Sequence, residues 1–150
     1  MIKVSFYKVL TLAILSSFLG CNHSSQEEQN IEIIKSTYHD FNNLKNHLAP
    51  NVIWKEADGF PYAGTYIGYD DIVENVFSKL AIEWIDFKFT PDEFMLEDDK
   101  VVAIGHYRGT NIKSGFTINI RALHLYHLKN NKITHFEQFV DTKKVVDAMK

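Results

Sequence analysis

The chain has 150 residues, a length that fits one domain, and it is 45% hydrophobic, enough for a sizeable core. Its formal net charge is −3, with 16 Lys and Arg against 19 Asp and Glu, and no basic cluster gives nucleic acid an electrostatic footprint. Cys21 is the sole cysteine, so no internal disulfide forms, and the absence of GxGxxG and phosphate-loop patterns leads us to expect no nucleotide or redox cofactor.

In chain order, residues 1–8 carry Lys3 and Lys8 and no acid, and Val9 to Gly20 (VLTLAILSSFLG) is a largely apolar run. These are the n-region and h-region of a signal peptide over residues 1–20, too short for a stable membrane span. Removing them leaves 14 basic residues against 19 acidic, a net of −5. Small Gly20 followed by Cys21 resembles a bacterial lipobox, in which the cysteine is acylated. That resemblance implies a lipid-anchored envelope protein, and Asn22 in place of Asp implies the outer membrane; ordinary secretion is the alternative. Residues 21–27 read as a polar tether, and residues 28–150 as the domain.

Ile31, Ile34, Tyr38 and Phe41 share a helical face, with Ser24 or Ser25 as a cap, and a second short helix is expected over Asn43–Leu48. Asn51–Ala57 (NVIWKEA) reads as a strand with Val52, Trp54 and Glu56 on one face. A loop rich in glycine and aromatics follows, KEADGFPYAGTYIGYDDI, and then a helix capped by Asp70 or Asp71 that buries Ile72, Val73, Val76, Phe77 and Leu80. From Ile82 the pattern alternates with period two. Strands are expected at Ile82–Thr90, Glu93–Glu97, Val101–Thr110, Gly115–Lys129 and Lys132–Val140, with turns at Asp98-Asp99-Lys100 and Asn130-Asn131. Thr142–Met149 reads as a terminal helix. Helices followed by a strand meander predict an α+β class with a mostly antiparallel sheet.

Two segments carry a family resemblance. One is Pro61-Tyr62-Ala63-Gly64-Thr65-Tyr66-Ile67-Gly68 leading into Asp70. The other is Lys132-Ile133 followed by Phe136-Glu137-Gln138-Phe139-Val140-Asp141-Thr142. In this order and spacing they resemble the SnoaL-like branch of the superfamily that contains nuclear transport factor 2, ketosteroid isomerase and polyketide cyclases. The resemblance covers roughly residues 28–149. It implies a cone-shaped α+β barrel, a strongly bent sheet wrapped around N-terminal helices and enclosing an apolar cavity. Phe60, Tyr62 and Tyr66 would then sit near the cavity mouth or plug the open end of the sheet. Gly59, Gly64 and Gly68 would supply the turns.

Three residues are candidates for catalysis. Glu56 stands where ketosteroid isomerases carry their general base, and a carboxyl beside Trp54 in an apolar pocket should have a raised pKa; a solvated strand-end Glu is the alternative. His124 shares a face with Ala122 and Tyr126. Allowing a one-residue gap in the following turn, it resembles the position of the protonated Asp that donates to the isomerase oxyanion. It would donate there as a neutral imidazole, or be a buried strand histidine satisfied by a neighbour. Asp141 resembles the cavity acid of SnoaL-type cyclases, but it is also well placed to cap the terminal helix and alternates away from Phe136 and Gln138. The isomerase oxyanion Tyr has no clear counterpart, since Tyr38 lies on the matching helix but at a different distance from the first strand.

Trp54, Phe60, Tyr62, Tyr66, Phe77, Trp84, Tyr107, Tyr126, Phe136 and Gln138 are the expected ligand contacts, with Gln138 able to bind a carbonyl and the rest forming apolar walls. Alternation leaves open which faces Trp84, His106 and Tyr107 use, and it puts Arg121 on the outside. His124 and His127 differ in parity, so no metal site is expected. Two functions remain: acid–base isomerisation or aldol-type cyclisation of a hydrophobic carbonyl compound, or non-catalytic binding of an apolar ligand by an envelope lipoprotein or dimerisation module. A homodimer through the outer sheet face is expected from the resemblance and from the apolar segment IEWIDFKF.

Overall fold

The computed structural model describes the backbone from residue 10 to 150 and side chains from residue 25 onward. Residues 1–9 of the expected signal peptide and the side chain of Cys21, where acylation is expected, lie outside the residues so described. Helix α1 spans Leu10–His39 and α2 spans Asn42–His47. No helix among the described residues is long and apolar enough to cross a membrane. The segment read as a tether is helical, and the Gln26 amide donates to Asn131 of a distant turn, so contact with the domain already begins there. No Ser24 or Ser25 cap exists because the helix starts upstream of both.

Six strands follow: β1 (Leu48–Glu56), β2 (Gly64–Ile67), β3 (Trp84–Glu97), β4 (Lys100–Asn111), β5 (Thr117–Lys129) and β6 (Lys132–Val140). They form one sheet in the order β2-β1-β6-β5-β4-β3, antiparallel except for the parallel β1–β6 pair. The class is therefore α+β with a mostly antiparallel, curved sheet. Between β2 and β3 run α3 (Tyr69–Ile72), one π-helical turn (Val73–Phe77) and α4 (Ser78–Glu83). Helix α5 (Thr142–Ala148) closes the chain. Asn130 and Asn131 both take positive φ, 53° and 61°, as the tight turn between β5 and β6 requires.

The predicted pair of strands around Pro91 is one long strand with two bulges, between Ile85 and Lys88 and between Pro91 and Glu93. Bulges bend a strand and sharpen its twist, and these two help curve the sheet over α1. Gly105 faces the second bulge, where a Cβ would collide with the Thr90 carbonyl oxygen and Pro91. The Gly105→Ala variant should therefore lose about 1–3 kcal/mol, measured as a lower urea midpoint with an unchanged slope. Neither Asp70 nor Asp71 caps the cavity helix. The cap position is Gly68 at φ 82°, and both acids fall in the first turn, where they complement the helix dipole. Asp71 also accepts from the Ile67 amide at 2.9 Å.

Two apolar clusters divide the interior. The larger joins Ile33, Ile34, Leu44, Val52, Trp54, Ile72, Val76, Val101, Tyr126 and Phe136 between α1 and the concave face of the sheet. The smaller gathers Phe60, Tyr62, Trp84, Ile118, Ile120, Val145 and Ala148 under α5.

Candidate functional site

A cavity of about 470 Å³ opens between α1, the π-helical turn and the concave sheet face, within the size range of small-molecule sites. Alternation on β1 turns Trp54 and Glu56 inward, and on β6 it turns Phe136 and Gln138 inward. Gln138 pairs with His124 across β6–β5, while Phe136 pairs with Trp54 on one side and Tyr126 on the other. Pairing across three strands thus builds two rows on the concave face: Glu56, Gln138 and His124, and beside it Trp54, Phe136 and Tyr126.

Glu56 is 3% exposed. The Trp54 indole N–H donates to its Oε1 at 2.7 Å, and Oε2 has no hydrogen-bond partner among the described residues. Burial pushes its pKa up to about 7, against the lowering effect of the indole N–H. The group therefore exchanges a proton near neutrality, and one of its oxygens is buried without a hydrogen-bond partner.

His124 is buried too, and both ring nitrogens are occupied. Tyr38 Oη lies 2.7 Å from Nδ1 and Tyr107 Oη lies 2.6 Å from Nε2. Tyr126 Oη is 2.7 Å from Tyr38 Oη, and the Gln138 amide donates to Tyr107 Oη at 2.9 Å. Burial lowers the His124 pKa to about 3, so the imidazole is neutral. The Phe89 ring stacks on it at 4.0 Å and the Phe136 ring meets it edge-on at 5.0 Å. Burial also raises the Tyr38, Tyr107 and Tyr126 hydroxyl pKa values, and the charge of Glu56 adds to the rise at Tyr107 and Tyr126. The expectation that His124 itself donates to a ligand is corrected here, because its nitrogens are spent on tyrosines. The hydroxyls form the polar wall that a ligand meets.

The other expected residues separate cleanly. Phe77, Trp84, Tyr107, Tyr126, Phe136 and Gln138 line the cavity with Trp54, Glu56 and His124. Phe60 and Tyr62 do not: they are buried in the smaller cluster, where Tyr62 Oη donates to Glu83 at 2.9 Å and accepts from the Trp84 indole at 3.2 Å. Tyr66 folds back onto its own loop and donates to the Tyr62 carbonyl at 2.8 Å. These aromatics plug the far end rather than rim the mouth. The mouth belongs instead to Phe41 and Phe77, whose rings meet edge-on at 4.9 Å.

Asp141 is also outside the cavity. Its carboxylate accepts from the Lys144 amide at 3.3 Å and pairs with the Lys144 ammonium at 3.0 Å, interactions that hold its pKa down. It caps α5, so Asp141→Ala should lower the unfolding temperature and leave ligand affinity unchanged, read by thermal unfolding and ligand titration on the same sample. His106 pairs with Asp92 at 2.7 Å, and the His127 and His135 rings lie 5.2 Å apart on the outer face. No three His, Cys, Asp or Glu side chains gather among the described residues.

Tyr38, left without a role by the sequence, sits at the centre of the hydroxyl array. Phe87 and Phe89 also line the cavity and were missed. Strict alternation puts them on the face opposite Trp84. The bulge at Asp86, with φ 52°, brings all three to the same side.

A curved α+β sheet around an aromatic cavity, with a buried carboxyl on one wall, defines a cone-shaped pocket protein. The chain belongs to the SnoaL-like family, whose domain model matches residues 36–136. It is 37% identical to an NTF2-like protein from Burkholderia thailandensis E264, over 81% of this chain and 95% of that one, with a TM-score of 0.76. An NTF2-like protein of unknown function from Burkholderia pseudomallei K96243 is 22% identical over 81% and 98%, with a TM-score of 0.75. A protein with a ketosteroid isomerase-like fold from Catenulispora acidiphila DSM 44928, solved in complex with trimethylamine, is 14% identical over 79% and 92%, with a TM-score of 0.69. No curated protein matches the chain.

Proposed function

We propose that the protein is an acid–base enzyme acting on a small hydrophobic carbonyl compound. The observation that carries this reading is Glu56, a buried cavity-lining carboxyl with a pKa of about 7 and one oxygen without a hydrogen-bond partner. In the reaction, Glu56 takes a proton from the carbon next to the carbonyl, and the C–H electrons move onto the carbonyl oxygen. A tyrosine hydroxyl holds the enolate so formed. The proton returns at another carbon in an isomerisation, or the enolate carbon attacks a second carbonyl in an aldol cyclisation and the alkoxide so formed takes the proton back from Glu56. His124 orients the tyrosines and does not touch the substrate.

The test is a panel of enolisable ketones and dicarbonyl compounds assayed with wild type and Glu56→Gln. Turnover lost in the variant while binding persists supports the reading. No turnover by wild type across the panel, with an apolar ligand still bound, replaces it with the binding function.

Trp84, Phe87 and Phe89 of the segment IEWIDFKF line the cavity rather than the outer face, so a homodimer through that face is supported instead by Ile53, Ile67 and Phe139, each more than 40% exposed. A monomer in sedimentation at high concentration would sink the dimer. The Gly20-Cys21 junction supports lipid anchoring in a bacterial envelope, on the periplasmic side of the outer membrane. Mass spectrometry of the mature N-terminus decides it, and an unmodified start beyond Cys21 excludes the anchor.

A further inference from the structure

The hydroxyl–imidazole array can be counted proton by proton. Tyr38, Tyr107 and Tyr126 bring one O–H each, because burial keeps them protonated, and neutral His124 brings one N–H. Three contacts inside the array each consume one of these protons: Tyr107 with Nε2, Tyr38 with Nδ1, and Tyr38 with Tyr126. Gln138 adds no ambiguity, since its Oε1 accepts from the Ala57 amide at 3.4 Å and its amide nitrogen donates to Tyr107. One O–H is left over.

Its position follows from the imidazole tautomer. With the proton on Nδ1, that N–H donates to Tyr38 and Tyr107 donates to Nε2. The spare O–H is then at the Tyr38–Tyr126 end. With the proton on Nε2, that N–H donates to Tyr107, Tyr38 donates to Nδ1, and Tyr126 donates to Tyr38. The spare O–H is then on Tyr107, which already accepts from both Gln138 and His124.

We infer that the hydroxyl–imidazole array offers a ligand a single spare O–H, and that the His124 tautomer places it at either the Tyr38–Tyr126 end or the Tyr107 end. The ligand class that fits has one acceptor oxygen, a carbonyl, enolate or phenolate, on an otherwise apolar body. A compound needing two donors from this array at once leaves one of its oxygens unpaired there, at a cost. His124 is thus a positioning residue that sets which way a ligand lies. This deepens the proposed acid–base reading by naming where the oxyanion is held, but the array works the same way in a protein that only binds.

The test is nitrogen-15 NMR of the His124 ring, in which protonated and bare ring nitrogens resonate far apart. It needs no ligand, so its failure is separate from a failure of the turnover assay. In Tyr107→Phe, Nε2 loses its partner, and the proton should settle on Nδ1, where Tyr38 still accepts it. In Tyr38→Phe, Nδ1 keeps only Tyr126 at a long 3.5 Å, and the proton should settle on Nε2, donating to Tyr107. Unpaired buried donors are rarer than unpaired acceptors, which sets both directions. Opposite tautomers in the two variants support the inference. The same tautomer in both, or an imidazolium at neutral pH in either, overturns it.

Discussion

Glu56→Gln is expected to abolish turnover and, at the same time, to stabilise the fold. Loss of a positioned general base costs roughly 10²- to 10⁴-fold in rate. The stability gain has a separate origin. The folded carboxyl titrates at about 7 against an ordinary value of 4.5, so between these values the folded chain holds a proton that the unfolded chain has released. Stability then falls as pH rises through that window, by about 3 kcal/mol in all at 1.36 kcal/mol per unit. Glutamine matches the protonated acid in shape and carries no charge to desolvate. The variant should match wild type near pH 4.5 and exceed it by about 3 kcal/mol at pH 8. Urea unfolding at the two values reads the difference. An equal stability offset at both would mean that Glu56 is solvated, and the proposed mechanism would go with it.

His124→Gln should show the opposite slope. The folded imidazole titrates at about 3 and the unfolded one at 6.5, so here the unfolded chain binds the extra proton. Stability is complete above pH 6.5 and falls as pH drops towards 3, by about 5 kcal/mol in all. In wild type the two slopes oppose each other between about pH 4.5 and 6.5, and the summed contribution is nearly flat there. Removing His124 exposes the Glu56 slope alone, a loss of about 3 kcal/mol as pH rises from 4.5 to 6.5. Removing Glu56 exposes the His124 slope alone, a gain of similar size over the same range. Asp141 and Asp147, whose pKa values are lowered by lysine partners, add an acid-side loss below this window in all three proteins. A flat profile in His124→Gln across pH 4.5–6.5 would contradict the raised Glu56 pKa, and a flat profile in Glu56→Gln over the same range would contradict the buried neutral imidazole.

Much of the site was legible because a strand face obeys a period of two. Trp54 and Glu56, Phe136 and Gln138, and His124 and Tyr126 were each placed together by alternation, and the long strands from β4 to β6 kept that register. What escaped depends on interruptions that one sequence does not announce. The bulge at Asp86 reverses the parity of β3, which hid Phe87 and Phe89. The short strand β2 pairs with β1 in the middle of a stretch that reads as loop, and this pulls Tyr66 away from the cavity. The π-helical turn interrupts what periodicity reads as one regular helix. Tyr38 was visible as an apolar-face residue of α1, but its contact with His124 joins residues 86 positions apart, and helical periodicity carries no information at that range. For Asp141, the local reading as a helix cap agreed with the structure and the family analogy for the cavity acid did not.

The parallel β1–β6 pair sets the order in which the molecule is completed. Lys55 and Glu137 bridge the two strands at 2.7 Å across 82 positions of chain. β1 is synthesised before β6 and has only short β2 beside it until β6 is made. Trp54 and Glu56 wait until then without Phe136 and Gln138. The cavity therefore needs β6, and a truncation before Lys132 would keep Glu56 while losing the strand that joins it to His124. Contacts so distant in sequence also slow folding. The same arrangement that brings the acid close to the tyrosines makes their meeting depend on the last of the six strands.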